Sequence, residues 1–320
     1  MTWNEHVAAA DQGTPFHRRE CLDVVADYAG ATLHPLAGVL GDDLVGLFPV
    51  FERSIGPFTA LFSPAPELKV SYLGPIRVGP VADSPRAQRE RDRAFVSTVL
   101  SCLTDRFGSR YTHMRTTPRL VDPRPFVWDG YDLVPRFTYV VDLTPGSEAL
   151  LERFSSDARQ NVTDTAPELR VEIGTDDAIE FIIEQVTARH REQGEPYGVT
   201  PAYVRDLHDT LPDGVVRPYV VRLDGERVGG MITLNDDETV YRWQGGAKPA
   251  VDAPVNDYLD WRIMRDAIED GRTRYDLVGA NNSRISEYKA KFAPQLETYY
   301  SLTDATPLME AGARLYLNLR

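Results

Sequence analysis

Lysine is scarce in this 320-residue sequence, because only four of its 35 basic residues are lysines, and 48 acidic residues bring the net charge to −13. A surface of this charge repels the phosphates of nucleic acids and of anionic bilayers, which argues against both as main partners. Many carboxylates with few lysines are typical of proteins that work in concentrated salt. We therefore expect a halophilic source, such as a haloarchaeon, with an ordinary acidic cytosolic protein as the alternative.

Cysteines and long apolar runs are also lacking. Cys21 and Cys102 have no second cysteine or histidine at the spacing of metal ligands, so we predict neither a disulfide framework nor a metal site. No stretch reaches the roughly 18 uninterrupted apolar residues of a membrane helix. The N-terminus does not show a basic region followed by an apolar core. We expect a cytoplasmic protein without an integral membrane segment.

Hydrophobic periodicity and turn residues predict an α/β protein with mixed sheets, built from two domains of one type. We place the boundary at the turn residues 144–147, which gives domains 1–145 and 146–320. The elements predicted in the first domain are a helical region at 3–28 interrupted at 13–15, strands at 31–40 and 44–54, a loop at 56–80 holding a strand at 70–73, a helix at 84–107, and strands at 111–116 and 131–143 joined by a proline-rich link. Those predicted in the second are helices at 147–166, 176–193, 201–211, 255–270 and 307–319, and strands at 169–173, 215–223, 227–235, 239–245, 273–279 and 296–302.

Two of the four lysines, Lys289 and Lys291, follow a predicted strand that ends in a Gly-Ala-Asn-Asn turn. The ends of strands are where α/β folds usually build their sites, and a compact, rotatable ammonium differs from a guanidinium in hydration and in its adaptable pKa. Asp276, in an otherwise apolar strand, needs a partner such as one of these lysines or Arg284. The two lysines would point to different faces of a helix and to the same face of a strand. The alternative is a solvated helix end.

The C-terminal pattern resembles that of Fem-type acyltransferases, the tandem members of the GNAT superfamily that include peptidoglycan aminoacyl transferases. The residues that carry the resemblance are Tyr275-Asp276-Leu277-x-Gly279, Tyr288-Lys289-x-Lys291-Phe292, Phe154-x4-Arg159-x-Asn161 and His190-Arg191-x2-Gly194-x-Pro196 followed by Tyr203. The resemblance covers about residues 150–305 and implies two tandem GNAT-like domains. It also implies that the lysine before Phe292 belongs to a donor or intermediate site, and that Arg159 contacts a phosphate of a nucleotide- or lipid-linked acceptor.

A candidate cradle for the acyl donor lies at 243–249, where a strand ends in Gly245 and Gly246 ahead of a helix that opens near Pro254. Glycines let main-chain N–H groups approach phosphates, a helix N-terminus favours anions, and Lys248 adds charge. A glycine-rich turn that leaves a strand is the structural alternative. Because the glycine spacing usual for acetyl-CoA is absent, aminoacyl-tRNA stays open as donor beside acyl-CoA. The first half has no comparable loop, which suggests a scaffold or an acceptor site.

We therefore predict an acyltransferase that moves an acyl or aminoacyl group to an amine or hydroxyl of a small or carrier-linked acceptor. The alternative is a catalytically silent GNAT-fold binding protein that uses the interdomain cleft. The predicted catalytic residues are Asp276, Lys289 and Lys291. The predicted donor-binding residues are Gln244, Gly245, Gly246, Lys248, Asn256, Gly279 and Asn281. The predicted substrate-binding residues are Arg159, His190, Tyr241, Trp243, Tyr288 and Phe292. Motifs of serine hydrolases, HExxH metalloproteases, P-loop kinases and GxGxxG dehydrogenases are absent from the sequence.

Overall fold

The computed structural model describes residues 1–55, 58–120, 122–164, 169–246 and 250–305. The chain forms two compact units, Met1–Arg136 with the chain from Thr298 onward, and Phe137–Glu297. The boundary predicted from sequence, after residue 145, lies inside the second of these units. Strands β6 (Asp132–Asp142) and β12 (Gln295–Ala305) contribute residues to both.

The first unit is a mixed sheet with helices. Its helices are α1 (Trp3–Ala8), a 3-10 turn (Pro15–His17), α2 (Arg19–Ala29), α3 (Pro85–Phe107) and α4 (Arg124–Trp128), and its strands are β1 (Thr32–Leu40), β2 (Asp43–Ile55), β3 (Phe58–Ser63), β4 (Ile76–Arg77) and β5 (Tyr111–Arg115). The strand order is β1-β2-β3-β5-β12, and β4 pairs with β2. The β3–β5 pair is parallel, whereas β1–β2, β2–β3 and β5–β12 are antiparallel.

Helix α3 begins and ends as its sequence predicts. Ser84 caps it by accepting a hydrogen bond from the Ala87 N–H at 3.2 Å, and the helix ends at Gly108, whose φ of 58° suits glycine. The ring of Phe95 lies where Cβ atoms at Gly38 and Gly46 of the β1–β2 hairpin would clash with it. The two glycines therefore let α3 pack closely on the hairpin.

The second unit repeats this layout. Its helices are α5 (Ser147–Arg153), α6 (Ser156–Thr163), α7 (Asp176–Glu192), α8 (Pro201–Thr210), α9 (Val255–Glu269) and α10 (Ser283–Ala290), and its strands are β7 (Leu169–Ile173), β8 (Val216–Leu223), β9 (Glu226–Asn235), β10 (Thr239–Gly245) and β11 (Arg274–Asp276). The strand order is β6-β11-β10-β9-β8-β7.

A parallel pair joined by a helix recurs in each unit. In the first unit α3 lies between the parallel strands β3 and β5 along the chain, and in the second α9 connects the parallel strands β10 and β11. Parallel neighbours need a crossover of this kind. The predicted mixed α/β fold with two units of one type is thereby confirmed. Each unit has its own buried core, that of the second packed around α9 and that of the first around α3.

Three predictions for the first half are wrong. Residues 70–73 form no strand. They are buried, and the Leu73 N–H donates a hydrogen bond to the Arg115 carbonyl at 3.0 Å. Strand β3 falls in the region predicted as a loop, because glycine and prolines surround it. Helix α4 falls in the predicted proline-rich link, because prolines suit a first helical turn as well as a link.

In the second half, the predicted helix at 147–166 is two helices, α5 and α6, separated at Phe154, whose ψ of 152° is extended. Strand β11 is shorter than predicted, because the chain turns after Asp276. The predicted closing helix at 307–319 lies outside the described residues. Within the described chain, no helix combines the length and the apolar character that crossing a membrane requires.

Candidate functional site

The chain after β11 makes a tight turn that gathers carbonyl groups around one lysine. Val278 and Gly279 both have positive φ angles, 52° and 86°, and this conformation costs energy for a branched residue such as valine. The carbonyls of these two residues accept hydrogen bonds from Nζ of Lys289 in α10, at 2.8 and 2.7 Å. The turn is therefore shaped around the lysine ammonium, and Lys289 itself is only 4% exposed.

Asp276 holds this turn in place. Its buried carboxylate accepts hydrogen bonds from the Thr138 hydroxyl at 2.6 Å and from the Val278 N–H at 2.7 Å. The Thr138 oxygen in turn accepts from the Gly279 N–H at 2.9 Å. The sequence predicted a basic partner for Asp276, such as Lys289, Lys291 or Arg284; two of its hydrogen bonds come from a hydroxyl and the main chain, and its charge raises the pKa of Lys289.

The environment of Lys289 lowers the pKa of its ammonium from 10.5 to about 7. Burial is the largest cause, and the positive charge of Arg242 adds to it. The carboxylates of Asp276 and Asp260 act in the opposite direction without cancelling these effects. A lysine of this kind changes its protonation near neutral pH, which is unusual outside functional sites.

A second group of polar residues surrounds Asp260, which is completely buried on α9. Its carboxylate accepts hydrogen bonds from Arg242 Nε at 2.7 Å and from the hydroxyls of Tyr275 and Tyr288 at 2.6 and 2.8 Å. Burial is the largest single effect and lowers the pKa of the Arg242 guanidinium, but Asp260 together with Tyr275 and Tyr288 raises this pKa overall. Burial, reinforced by Asp260, raises the pKa of both tyrosines well above the ordinary value. Arg242 therefore stays charged and both phenols stay neutral.

Lys291, at the end of α10, faces a different partner. Its ammonium lies 2.7 Å from Oδ2 of Asp257 and 4.7 Å from the ring centre of Tyr288. Asp257 is 4% exposed and also accepts from Asn161 Nδ2 at 2.6 Å. Lys291 thus neutralises a buried carboxylate in the first turn of α9. The structure places both lysines in this region but gives them separate roles.

The predicted glycine cradle is filled on the sides where side chains would lie. Gly245 and Gly246 have φ angles of 135° and 66°. A Cβ atom would clash with the Gly230 carbonyl oxygen in the first case and with the Arg242 guanidinium in the second. The glycines thus allow close packing of β9 and Arg242, which matches the structural alternative of a glycine-rich turn. Lys248 lies outside the described residues.

Gln244 joins β10 to the segment between α7 and α8. Its side-chain oxygen accepts a hydrogen bond from the Tyr197 hydroxyl at 2.6 Å. Tyr197 stacks on His190, with ring centres 4.7 Å apart, and His190 Nδ1 lies 3.2 Å from a carboxylate oxygen of Glu195. The structure therefore brings Gln244 and His190, predicted from separate segments, to the same aromatic contact.

Three of the predicted substrate-binding residues have packing roles. Tyr241 is buried and donates to Asp236 at 3.0 Å, and Trp243 packs edge-on against Tyr203 at 6.1 Å. Phe292 is completely buried in the core of the unit. Its ring lies edge-on to those of neighbouring aromatic residues, so packing alone accounts for this phenylalanine.

The other predicted residues lie nearer the surface. Arg159 is exposed on α6 and donates to a main-chain carbonyl. Asn256 is half-buried in the first turn of α9. The side chain of Asn281 pairs with β6 as a neighbouring strand would. Its amide group donates to the Phe137 carbonyl and accepts from the Phe137 N–H, both at 3.0 Å. Its observed contact is therefore to the sheet.

Sequence reasoning missed Arg242 and Asp260. One signal was present for Asp260, since Met264 and Ala267 follow it at the i+4 and i+7 spacing of an apolar helix face, and a carboxylate on that face needs a buried partner. Arg242, between two aromatic residues of a strand, gave no comparable signal. The pairing of a strand residue with a helix residue appears only in three dimensions.

Comparison with known proteins agrees with this fold. Residues 154–290 match the family described as acetyltransferase (GNAT) domain. No curated protein matches the sequence. Among solved structures, FemX is similar over 94% of this chain and 96% of its own, with 12% identity and a TM-score of 0.73.

Two further solved structures resemble the chain at lower TM-scores. L-PGS from Bacillus licheniformis has a TM-score of 0.55 at 12% identity, over 94% of this chain and 96% of its own. A tandem GNAT protein from the clavulanic acid biosynthesis pathway has a TM-score of 0.51 at 11% identity, over 93% of this chain and 96% of its own. The chain therefore has a GNAT-type fold like that of tandem GNAT proteins, and residues 154–290 carry the match to the acetyltransferase (GNAT) domain.

Proposed function

We propose that the protein is an acyltransferase that moves an acyl or aminoacyl group from a thioester or ester donor to an amine or hydroxyl acceptor. The observation that carries the proposal is Lys289, a buried lysine with a pKa of about 7 held by two carbonyl groups. The family match over 154–290 supports a group-transfer role for the same unit. The likeness to FemX and L-PGS supports the fold on which the proposal rests.

The neutral form of Lys289 suits a general base. A neutral amine has two N–H groups and one lone pair, and the carbonyls of Val278 and Gly279 accept two hydrogen bonds. In that state the lone pair is left to accept the proton of the attacking amine or hydroxyl. When protonated, the same nitrogen has a third N–H for the substrate. A base with a pKa near the working pH transfers protons efficiently.

The neighbours of Lys289 set its protonation and its position. Arg242 lowers its pKa, and Asp260 keeps that guanidinium charged and fixed. Asp276 shapes the turn that supplies the carbonyl groups. We assign these three residues to positioning and tuning, and only Lys289 to proton transfer.

The edge of β10 beyond the end of β11 is the proposed binding place for the carbonyl group of the donor. β10 and β11 pair only over Thr239–Tyr241 and Arg274–Asp276, and β10 continues to Gly245 beyond the end of β11. Main-chain N–H groups at such an edge can stabilise a developing oxyanion. This edge lies on the strand that contains Arg242.

Two features of this region argue against a binding site for the phosphate groups of a CoA donor. The N–H of Gly246 already donates to the Gly230 carbonyl at 3.0 Å, and the first turn of α9 contains the Asp257 carboxylate paired with Lys291. We therefore route no step through a pyrophosphate contact. Acyl-CoA and aminoacyl-tRNA both remain donors to be tested, and Arg159 remains the proposed phosphate contact of a carrier-linked acceptor.

The test is a transfer assay at high salt with acetyl-CoA or aminoacyl-tRNA and a panel of amines, read by mass spectrometry. For the wild type we expect kcat/KM to rise with pH through about 7, because the neutral lysine is the active form. Lys289→Met should lower kcat/KM by about 100-fold or more and remove this inflection. The matched control is Arg284→Met, an exposed residue on the same helix, which should keep both.

A Lys289→Met variant that keeps the pH inflection would refute the assignment of the base. Calorimetric titration with acetyl-CoA and with desulfo-CoA separates binding from turnover. Saturable binding without transfer to any acceptor would instead indicate a catalytically silent binding protein.

A further inference from the structure

The first unit contains a cavity of its own, and the role inferred for it is independent of the function proposed above. Its volume is about 560 Å³, within the range of pockets that bind small molecules. The walls come from the first half of α3, from the chain around β4, from Leu120, Asp122 and Pro123, and from the first two residues of α4. All of these belong to the first unit.

A buried glutamine connects two of these walls through hydrogen bonds. Gln12 is 7% exposed, accepts a hydrogen bond from the Arg77 N–H at 2.9 Å, and donates to the Arg119 carbonyl at 3.1 Å. Both contacts go to main chain, so the spacing between β4 and the chain near residue 120 is set by one side chain. The cavity is thus a built feature of the unit.

The inner wall of the cavity is apolar. Pro75, Phe95, Val96 and Pro125 line it and are all buried. Nothing in this wall can hydrogen-bond to a polar ligand through its side chain. The part of a ligand that reaches it must therefore be aliphatic or aromatic.

Two carboxylates in the lining are already held. Asp92 accepts from Gln88 Nε2 at 2.6 Å and lies 3.3 Å from Arg77 Nη1. Asp122 accepts two hydrogen bonds from the Arg124 guanidinium, both at 2.7 Å, and a third from the Arg124 N–H at 3.1 Å. Neither aspartate is therefore left to bind a cationic ligand.

Arg89 is the third arginine of the lining and lies exposed at its rim. Arg89 and the pair of Asp122 and Arg124 line the same cavity. Hydrogen bonds from Arg124 lower the pKa of Asp122, and the charge of Arg89 lowers it further. Among the described residues, no carboxylate oxygen lies within 4.0 Å of a nitrogen of the Arg89 guanidinium, so Arg89 forms no ion pair there. The three arginines and two aspartates of the lining leave one positive charge, in a chain whose net charge is −13.

We propose that this cavity binds a small monocarboxylate with an aliphatic or aromatic body. The apolar inner wall takes the body, and Arg89 at the rim takes the carboxylate. One uncompensated cation matches a ligand with one negative charge, whereas the second charge of a dianion would be unpaired in a chain whose net charge is −13. The second unit contributes no residue to this site.

The test uses the fluorescent probe anilinonaphthalene sulfonate and its uncharged counterpart phenylnaphthylamine, with the full-length protein at high salt. Both should bind the wild type, and decanoate should displace them better than decanol. Arg89→Ala should weaken sulfonate binding about tenfold, which corresponds to ~1.4 kcal/mol, and leave phenylnaphthylamine binding unchanged. The matched control is Arg86→Ala, an exposed arginine of the same helix that does not line the cavity; it should change neither.

Val96→Trp should fill the cavity and abolish the binding of both probes. If that variant does not fold, as judged by circular dichroism, Leu120→Trp provides the same block from a half-buried wall position. Probe binding that persists in a folded tryptophan variant would overturn the proposal. Equal effects of Arg89→Ala and Arg86→Ala would also overturn it, since they would show a general charge effect in place of a site.

Discussion

Lys289 makes the stability of the protein depend on pH in a way that needs no substrate to measure. The pKa of its ammonium falls from 10.5 to about 7 on folding, chiefly through burial. Each pKa unit corresponds to about 1.36 kcal/mol, so the charged lysine lowers the free energy of unfolding by roughly 5 kcal/mol relative to the neutral one. Lys289→Met removes this titration while keeping a side chain of similar length.

The sign follows from proton binding. Between about pH 7 and pH 10 the unfolded chain holds a proton on Lys289 and the folded protein does not, so the wild type gains stability as pH rises, by at most about 1.4 kcal/mol per pH unit relative to Lys289→Met. Below about pH 7 both states are protonated and the difference is constant. The carbonyls of Val278 and Gly279 lose a donor in the variant, which costs about 1–3 kcal/mol at every pH and leaves the slope unchanged.

Urea unfolding of both proteins at several pH values in this window measures the slope. Other groups titrate equally in the two proteins and cancel in the difference. Arg159→Met is the control, because it also replaces a basic residue by methionine, at an exposed position on a different helix, α6. A flat difference between wild type and Lys289→Met would show that the lysine keeps an ordinary pKa, and the base assignment would fail with it.

Three further predictions concern stability and are measured by chemical denaturation. Asp260→Ala should lower the free energy of unfolding by about 3–5 kcal/mol, because it leaves Arg242 buried without its carboxylate. Asp260→Leu combined with Arg242→Met should lower it clearly less. Equal losses would show that the ion pair is not the cause. Gly246→Ala should lower the free energy of unfolding by at least about 1 kcal/mol more than Gly271→Ala. Both glycines have positive φ, but of the two only Gly246 has a neighbour within 4 Å of the added Cβ atom. A similar loss in the two variants would show that the Arg242 guanidinium does not lie against Gly246. Phe292→Ala should cost about 3–5 kcal/mol as a fully buried ring, and a small loss of stability with a large loss of ligand binding would favour a binding role instead.

The region of the candidate site can be proposed from sequence because its signals are local. Lys289 and Asp276 lie within one short stretch, and a rare residue type that follows the end of a strand marks this stretch. Their contacts do not follow from spacing. The conformation of Val278, and with it the direction of two carbonyl groups, depends on the hydrogen bond to Asp276, which no pattern shows.

Contacts between distant segments explain what sequence could not supply. Asp260 and Arg242 are 18 positions apart on a helix and a strand, and Gln12 reaches a carbonyl 107 positions away. Strand β3 is hidden by flanking glycine and prolines, although its pairing with β2 and β5 makes it central to the first sheet. Local propensity is overridden in such places by pairing partners that lie elsewhere in the chain.

The packing of Phe95 on Gly38 and Gly46 has a consequence for how a ligand would arrive. The ring that lines the cavity on one side is wedged against two glycines on the other, so it has little room to change rotamer. A ligand then meets a surface that is already in its binding shape and loses little free energy to reordering. Binding should therefore be a single fast phase with a rate linear in ligand concentration, and differences between ligands should lie in their rates of release.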